Sequence, residues 1–406
     1  MDHPPIRLLH LMANLDPAVG TGPAAVLAEL ALEQASQGLK VTILTVDPPS
    51  EQAWVQPLRR AGVAVHMTGP GRGPLRKSAA SPEVMRRVFA EGTDLVHVHG
   101  LWLSLPHRGA LEARRACVPY IFSAHGMLEP WALRKGRLKK MVYLALAGRQ
   151  DLRHAAAIHA TASMEAQNVA KLGLGNPVFV TPIGVRIEQY VDAPRPQQVE
   201  AKWPALAGKR RLLFMGRIDP VKGTINLARA WGRVASTFPD WRLVIAGADW
   251  HGHKAEFEAA LTEHGGRGTT EFLGPVYGED KSALLASCDL MVQPSFQENF
   301  GITIAESLAS GRPVITTKGT PWRLLETAGL GWWIDVGADP LERALRDAMS
   351  RPREDLDTMG RKGRALVEER FTWPMVTRHM TAVYSWLLGR SGPPEGVYLP
   401  GSTIPA

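Results

Sequence analysis

The stretch "LMVQPSFQENFGITIAESLASGRPVITT", residues 290–317, decides how the chain is read. Two short apolar runs, 290–295 and 313–317, flank a polar loop and one helical pattern, 302–310. Strand, crossover helix and strand in that order make a βαβ unit, whose strands run parallel. Gly301 stands where the helix opens, and two carboxylates, Glu298 and Glu306, bracket that opening.

The same alternation extends in both directions. Strand patterns fall at 210–217, 241–247 and 270–275 before it and at 331–336 after it, with helical patterns at 223–236, 279–287 and 340–350 between them. The first half repeats the scheme, with strands at 6–13, 41–46, 63–69, 94–100, 120–126, 157–162 and 178–184 and a helix at 23–37. Strands buried on both faces read as near-continuous apolar runs, which points to parallel sheets covered by helices. Two such series predict an α/β chain of two doubly wound, Rossmann-like domains facing across a cleft. A chain of 406 residues also exceeds one ordinary core.

The expected boundaries follow from composition. Residues 1–190 form the first domain, and the polar, proline-bearing 191–208 reads as a linker. Residues 209–374 form the second domain, and 375–390 a helix returning to the first. The Pro/Gly-rich 391–406 reads as a loose tail.

Charge and cysteine content narrow the class. Net charge is +8 with a pI near 9.6, which suits an anionic partner such as a nucleotide or an acidic membrane surface, or serves solubility alone. Cys117 and Cys288 lack a CxxC partner, so neither a disulfide framework nor a zinc site is expected, and a reducing cytoplasm fits. The first apolar run is too short for a signal peptide, and no stretch reaches the roughly 20 apolar residues of a membrane span. Membrane contact is then peripheral at most. The basic segment 131–155 suits either an anionic membrane surface or a core helix with a charged rim.

In open α/β sheets ligands bind at loops after the strands. After 210–217 comes "GRIDPVKG", 216–223, where Arg217, Lys222 and a helix start suit a diphosphate, or simply a solvated turn. In "QENFGITIAE", 297–306, Glu298 and Glu306 suit paired hydroxyls of a ribose or a sugar ring, or merely the helix dipole. Gly301 admits a ligand close to the backbone. His125 ends a strand before Gly126, and a lone histidine there is either a ligand contact or structural. His97 and His99 share one strand face with no evident third ligand, which favours packing over metal. Asp355 and Asp357 sit in a polar helical pattern and read as a solvated face.

"GTGPAA", 20–25, with Asp47 at the end of the next strand, imitates a nicotinamide fingerprint. Its glycines stand away from the tight turn after the strand, and Pro23 removes an N–H that a pyrophosphate would use. An NAD-dependent dehydrogenase is therefore the competing reading.

Taken together, "GTG" (20–22), "HG" (125–126), "TPIGV" (181–185), "GRIDPVKG" (216–223), "FLG" (272–274) and "PSFQENFGITIAESLASGRPVI" (294–315) resemble the retaining, group 1 glycosyltransferases of the GT-B fold over roughly 6–385. The last is their E-x7-E signature. "GTPW" (319–322) with "GWWI" (331–334) resembles bacterial surface-polysaccharide members. The resemblance implies transfer of a hexose from a UDP- or GDP-linked sugar to a saccharide or polyprenyl-linked acceptor, with retention of configuration and without a metal or other cofactor. It makes Arg217 and Lys222 the donor-phosphate cations, and Glu306 the ribose ligand. Glu298 becomes the acid on the transferred sugar, and His125 a histidine beside that sugar. Gly20, Gly22 and the backbone of Phe300, Gly301 and Ile302 would meet the diphosphate, with Leu273 also in the donor site. It implies synthesis of lipopolysaccharide, capsule or exopolysaccharide, and no nucleic-acid partner. Two departures affect loop detail: Thr21 separates glycines that are often adjacent in the family, and Ile183 stands where asparagine is usual. A GT-B-fold sugar-nucleotide epimerase would share these loops.

Overall fold

The computed structural model describes residues 3–16, 22–47, 54–69, 81–134, 136–191 and 196–405. They divide into two compact units, 1–184 with 373–406, and 185–372.

The first unit is built on β1 (Arg7–Leu11), β2 (Lys40–Thr45), β3 (Ala64–Met67), β4 (Leu95–His99), β5 (Tyr120–Ser123), β6 (Ala157–Ala160) and β7 (Val178–Val180). The second is built on β8 (Arg210–Met215), β9 (Trp241–Ala246), β10 (Thr270–Gly274), β11 (Leu290–Gln293), β12 (Val314–Thr317) and β13 (Gly331–Ile334). A last short strand, β14 (Val397–Tyr398), closes the chain. The sheet orders are β14-β7-β6-β5-β4-β1-β2-β3 and β10-β9-β8-β11-β12-β13. Strands β1 to β7 pair in parallel throughout, as do β8 to β13; only β14 runs antiparallel, on β7. Both sheets reverse their winding direction once, between β1 and β4 and between β8 and β11. That reversal opens the crevice where doubly wound sheets bind ligands.

Each sheet is buried on both faces. Leu9, Val96, Val98 and Phe122 pack on one face of the first sheet, and Leu8, Leu95, Ile121 and Phe179 on the other. The second face is covered by helix Gly22–Ser36 and by the returning helix Trp373–Leu387, which supplies Met380, Val383 and Tyr384. In the second unit Leu212, Phe214, Leu243, Ile245 and Val292 pack with Trp231 and Leu345 from covering helices.

Three expectations require correction. Within the expected linker 191–208, the described residues 196–208 are not free chain. Helix Pro196–Lys202 and the turn Pro204–Leu206 belong to the second unit, whose first residue is Val185. Buried Arg211 reaches the carboxylate of Glu200 and the Leu206 carbonyl, and Lys202 pairs with Asp280 at 2.6 Å. The chain crosses back after Thr372, where Val185 bridges Thr372, rather than after residue 374. The tail is not loosely draped either: Val397 and Tyr398 extend the edge of β7, opposite Phe179 and Val178.

Candidate active site

The site in the second unit grows from two loops on either side of the winding reversal. After β8 the chain turns through Asp219, whose carboxylate accepts from the Val221 N–H at 2.9 Å. Gly223 then takes φ 71° before helix Thr224–Val234. A Cβ at Gly223 would lie 2.0 Å from the Pro294 carbonyl oxygen. Only glycine allows that conformation and that approach. The loop after β11 is held against the first: the Phe296 N–H donates to the Val221 carbonyl at 2.8 Å. The turn after β12 supports it from behind, where the Glu298 N–H donates to the Gly319 carbonyl at 2.9 Å.

This stitching brings Lys222 and Glu298 together, with Nζ 2.6 Å from Oε1. The same Oε1 accepts from Ser295 Oγ at 2.7 Å and Gln293 Nε2 at 3.1 Å. Glu298 Oε2 makes no hydrogen bond among the described residues. Burial pushes the Glu298 carboxyl up, but the Lys222 charge and these three hydrogen bonds outweigh it and hold the pKa below its ordinary value. The residue is a fixed carboxylate with one oxygen anchored.

Arg217 is exposed, with its guanidinium 4.5 Å from the Trp250 ring centre. It forms no ion pair among the described residues, which leaves a positioned guanidinium for an anion. Gly301, at φ 80°, opens helix Ile302–Ala309. The first N–H groups of a helix lack intrahelical acceptors and favour an anion. Phe300 is buried against Trp322 and Phe371, and its carbonyl accepts from Trp322 Nε1 at 2.5 Å. Its side chain is therefore core, and its part in a site is confined to the backbone.

Glu306 is buried in the second turn of that helix and pairs with Lys281 at 2.5 Å. Its Oε2 is buried and has no hydrogen bond of ordinary geometry among the described residues. The Tyr190 phenol lies beside it: burial first, and then this carboxylate, push the phenol's pKa up. Leu273 sits at a bulge near the end of β10, half-buried, where the register with β9 jumps from Phe272 to Gly274.

In the first unit His125 follows β5 with φ 49°, a left-handed conformation uncommon outside glycine. Its Nε2 lies 2.9 Å from His99 Nδ1. The sequence pair His97 and His99 gains a third ring, because His10 on β1 stands opposite His97 on β4. Nitrogens of His10, His97 and His99 lie within 4.8 Å of one another. All six nitrogens of these rings are engaged, with His125, Gln34, Tyr384, Ser123 and one another. The three rings form a hydrogen-bonded cluster.

Gly22 begins helix Gly22–Ser36, while Gly20 lies outside the described residues. Asp47 is spoken for: its Oδ2 accepts from the Leu15 and Asp16 N–H groups at 2.6 and 3.2 Å and from Thr45 Oγ1 at 2.7 Å. That structural use removes the acid on which the dehydrogenase reading leaned. Asp357 pairs with Arg312 at 3.3 Å and takes no part in a metal cluster among the described residues.

The family described as glycosyl transferases group 1 matches residues 197–366, and the glycosyl transferase 4-like domain matches residues 21–184. The chain belongs to the group 1 glycosyltransferases. The GDP-mannose:cellobiosyl-diphosphopolyprenol alpha-mannosyltransferase of Xanthomonas campestris is 26% identical over 400 residues, covering 97% of this chain and all of that one (100%). The D-inositol 3-phosphate glycosyltransferase of a Nocardioides species is 28% identical, covering 90% of this chain and 86% of that one. The fold matches Anabaena HepE, solved in complex with UDP and glucose, at a TM-score of 0.72 and 19% identity, over 94% of this chain and 99% of that one. This glycosyltransferase therefore has the expected GT-B fold.

Within the second unit of the glycosyltransferase, the structure joins Lys222 to Glu298 and places Gly301, Ile302 and Glu306 along one helix start. Sequence reasoning missed Lys281, Gln293, Ser295, Trp250 and Tyr190. Ser295 and Gln293 carried a weak signal, since both are polar at the end of an otherwise apolar strand. Lys281 carried none, because it comes from the preceding helix.

Proposed function

We propose that this glycosyltransferase moves a hexose from a UDP- or GDP-linked sugar to a polyprenyl-linked saccharide acceptor, with retention of anomeric configuration. The observation that carries the reading is the fixed Glu298 carboxylate, anchored through Oε1 to Lys222 beside the glycine-opened helix. Breaking the bond between sugar C1 and phosphate oxygen puts negative charge on a diphosphate and positive charge on the sugar. Arg217, Lys222 and the N–H groups at Ile302 meet the first. Glu298, with Oε2 unengaged, accepts from hydroxyls of the sugar. Glu306 accepts from a ribose hydroxyl. Attack by the acceptor hydroxyl on the face the phosphate leaves forms the new C1–O bond, and the acceptor's proton passes to the departing phosphate. No metal is required for this charge balance, since protein cations supply it.

The acceptor reading rests on two supports. The Xanthomonas relative, aligned along nearly the whole chain, is named for a diphosphopolyprenol acceptor. In the first unit Trp131, Leu138, Met141, Val142 and Leu146 are exposed beside Arg134, Arg137 and Lys139. An apolar strip with a basic rim suits an anionic bilayer. On that strip we assign peripheral contact on the cytoplasmic face; no helix among the described residues is long and apolar enough to cross a membrane. Surface-polysaccharide assembly is the corresponding role. His125, at the carboxyl edge of the first unit's sheet, meets a saccharide hydroxyl. The test is transfer of radiolabelled hexose from UDP- and GDP-sugars to a polyprenyl-diphosphate saccharide, with the product's anomeric configuration read by NMR. An inverted product overturns the retaining reading, and turnover only without acceptor overturns the transferase reading.

A further inference from the structure

The histidine cluster extends into an unbroken hydrogen-bonded line across the first unit. It lies on the face covered by helices Gly22–Ser36 and Trp373–Leu387, two residues beyond the apolar layer on each strand. His10 follows Leu8, His97 follows Leu95, Ser123 follows Ile121, His159 follows Ala157 and Thr181 follows Phe179. From the far end, His159 Nε2 lies 2.8 Å from the Thr181 carbonyl and His159 Nδ1 lies 2.6 Å from Ser123 Oγ. Ser123 Oγ meets His97 Nε2 at 2.6 Å, and His97 Nδ1 meets the Tyr384 hydroxyl at 2.9 Å. Tyr384 meets Gln34 Nε2 at 3.1 Å, and Gln34 Oε1 meets His10 Nε2 at 2.8 Å. His10 Nδ1 meets His99 Nε2, and His99 Nδ1 meets His125 Nε2, both at 2.9 Å.

His10, His97, His99 and His159 are buried, His125 is half-buried, and their surroundings keep all five rings neutral near pH 7. Burial lowers His10 and His159 to about 4 and His125 to about 3, and drives His97 and His99 down as well. A neutral imidazole has one donor and one acceptor. The line then has only one consistent polarity, because a backbone carbonyl can only accept. Thr181 obliges His159 to carry its proton on Nε2, so His159 Nδ1 accepts from Ser123. Ser123 therefore accepts from His97 Nε2–H, and His97 Nδ1 accepts from the Tyr384 hydroxyl. Tyr384 accepts from the Gln34 amide nitrogen, which turns Gln34 Oε1 to His10 Nε2–H. His99 Nε2–H then donates to His10, and His125 Nε2–H donates to His99. The opposite polarity would set His159 Nε2 against the Thr181 carbonyl as two acceptors.

We infer that His99, His10, Gln34 and Tyr384 are positioning residues which hold His125 in its Nε2–H tautomer, so that Nδ1 is a permanent hydrogen-bond acceptor for a saccharide hydroxyl. His125 makes no hydrogen bond through Nδ1 among the described residues. The inference rests on the proposed placement of His125 at a saccharide. It sharpens that placement: the group met must be a donor, such as a sugar hydroxyl, and not a phosphate oxygen.

The tautomers are read directly by long-range nitrogen–proton NMR on histidine-labelled protein. The expected result is Nε2–H for His125, His99, His10, His97 and His159. His125 as Nδ1–H or as imidazolium at neutral pH overturns the inference in the unmodified protein. Tyr384→Phe cuts the line in its middle. His97 and His159 should keep Nε2–H, anchored by Thr181, while His10, His99 and His125 become tautomeric mixtures. Unchanged tautomers on the His125 side overturn the relay. With the His125 tautomer released, transfer should fall about 3- to 10-fold in kcat/KM, the value of one hydrogen bond, with nucleotide diphosphate affinity unchanged. A released tautomer with unaltered transfer shows that His125 does not meet the reacting saccharide, which overturns the positioning role and the placement of His125 while leaving the donor-site reading intact.

Discussion

Lys222 Nζ lies 2.6 Å from Glu298 Oε1, joining the loop after β8 to the loop after β11 at the winding reversal of the second sheet. Both groups are mostly buried, and the Lys222 charge helps hold Glu298 ionised. Lys222→Ala should cost on the order of 10²–10³ in kcat through loss of a cation on the leaving phosphate. It should also destabilise the fold by about 1–3 kcal/mol, because Glu298 loses its strongest partner. Adding Glu298→Gln to that variant should recover much of the stability and none of the activity. Denaturant titration and hexose-transfer assays of the single and double variants measure the two effects separately.

The same pair sets a dependence on acid. Glu298 in the folded chain titrates below its ordinary 4.5. Its contribution is complete above pH 4.5 and is lost as pH falls through the lower folded value. The stability difference between the wild type and Glu298→Gln should therefore shrink only below pH 4.5. A difference that already shrinks between pH 7 and 5 would contradict the ion-pair account.

The histidine line makes the first unit sensitive at milder acidity. Unfolded rings titrate near 6.5, whereas folded His10 and His159 titrate at about 4. Between those values the unfolded chain binds more protons, so stability falls as pH drops from 6.5 towards 4, on the order of 3 kcal/mol for one such ring. Hydrogen exchange should show peptides from β1 and β4 losing protection between pH 6.5 and 5, with peptides from β8 and β11 much less affected after correction for intrinsic rates.

Gly223→Ala tests the stitching of the two loops. The added methyl would lie 2.0 Å from the Pro294 carbonyl oxygen, at a φ of 71°. The left-handed conformation alone costs about 1–2 kcal/mol for a residue with a Cβ, and the clash adds to it. A lowered melting temperature with loss of nucleotide stabilisation is expected. A fully active, fully stable variant would show that the loops need not touch.

The exposed apolar strip predicts a lipid phenotype. Replacing Leu138 and Leu146 with Glu should abolish co-sedimentation with phosphatidylcholine vesicles containing phosphatidylglycerol. Nucleotide diphosphate binding should be unchanged. Equal binding by wild type and variant would remove the membrane assignment.

Most strands and their covering helices were legible because a parallel strand buried on both faces leaves a nearly continuous apolar run, as "LMV" and "PVITT" do. Lys222, Glu298 and Glu306 were legible as residues of loops and helix starts that follow such runs. Their mutual contacts were not. Lys281 reaches Glu306 from another helix, and no local pattern encodes that. The span 191–208 misled because prolines and polar residues mark linkers, while the tie that folds it, Glu200 to buried Arg211, is an ion pair between segments. The tail misled for the same reason: the pairing of Val397 with Phe179 is a backbone event at a sheet edge, to which composition is blind. His10 and His159 escaped notice because each is a single histidine in an apolar strand. Register alone lines them up.

The central claim is that the second unit binds a nucleotide diphosphate through Glu306 and the loops around Lys222 and Gly301. The most direct measurement is a thermal-shift titration with UDP, GDP, ADP and NAD on the wild type and Glu306→Gln. At least one of UDP and GDP should raise the melting temperature of the wild type, the rise should largely vanish in Glu306→Gln, and NAD should have no effect. Stabilisation by NAD with none from the nucleotide diphosphates would contradict the claim.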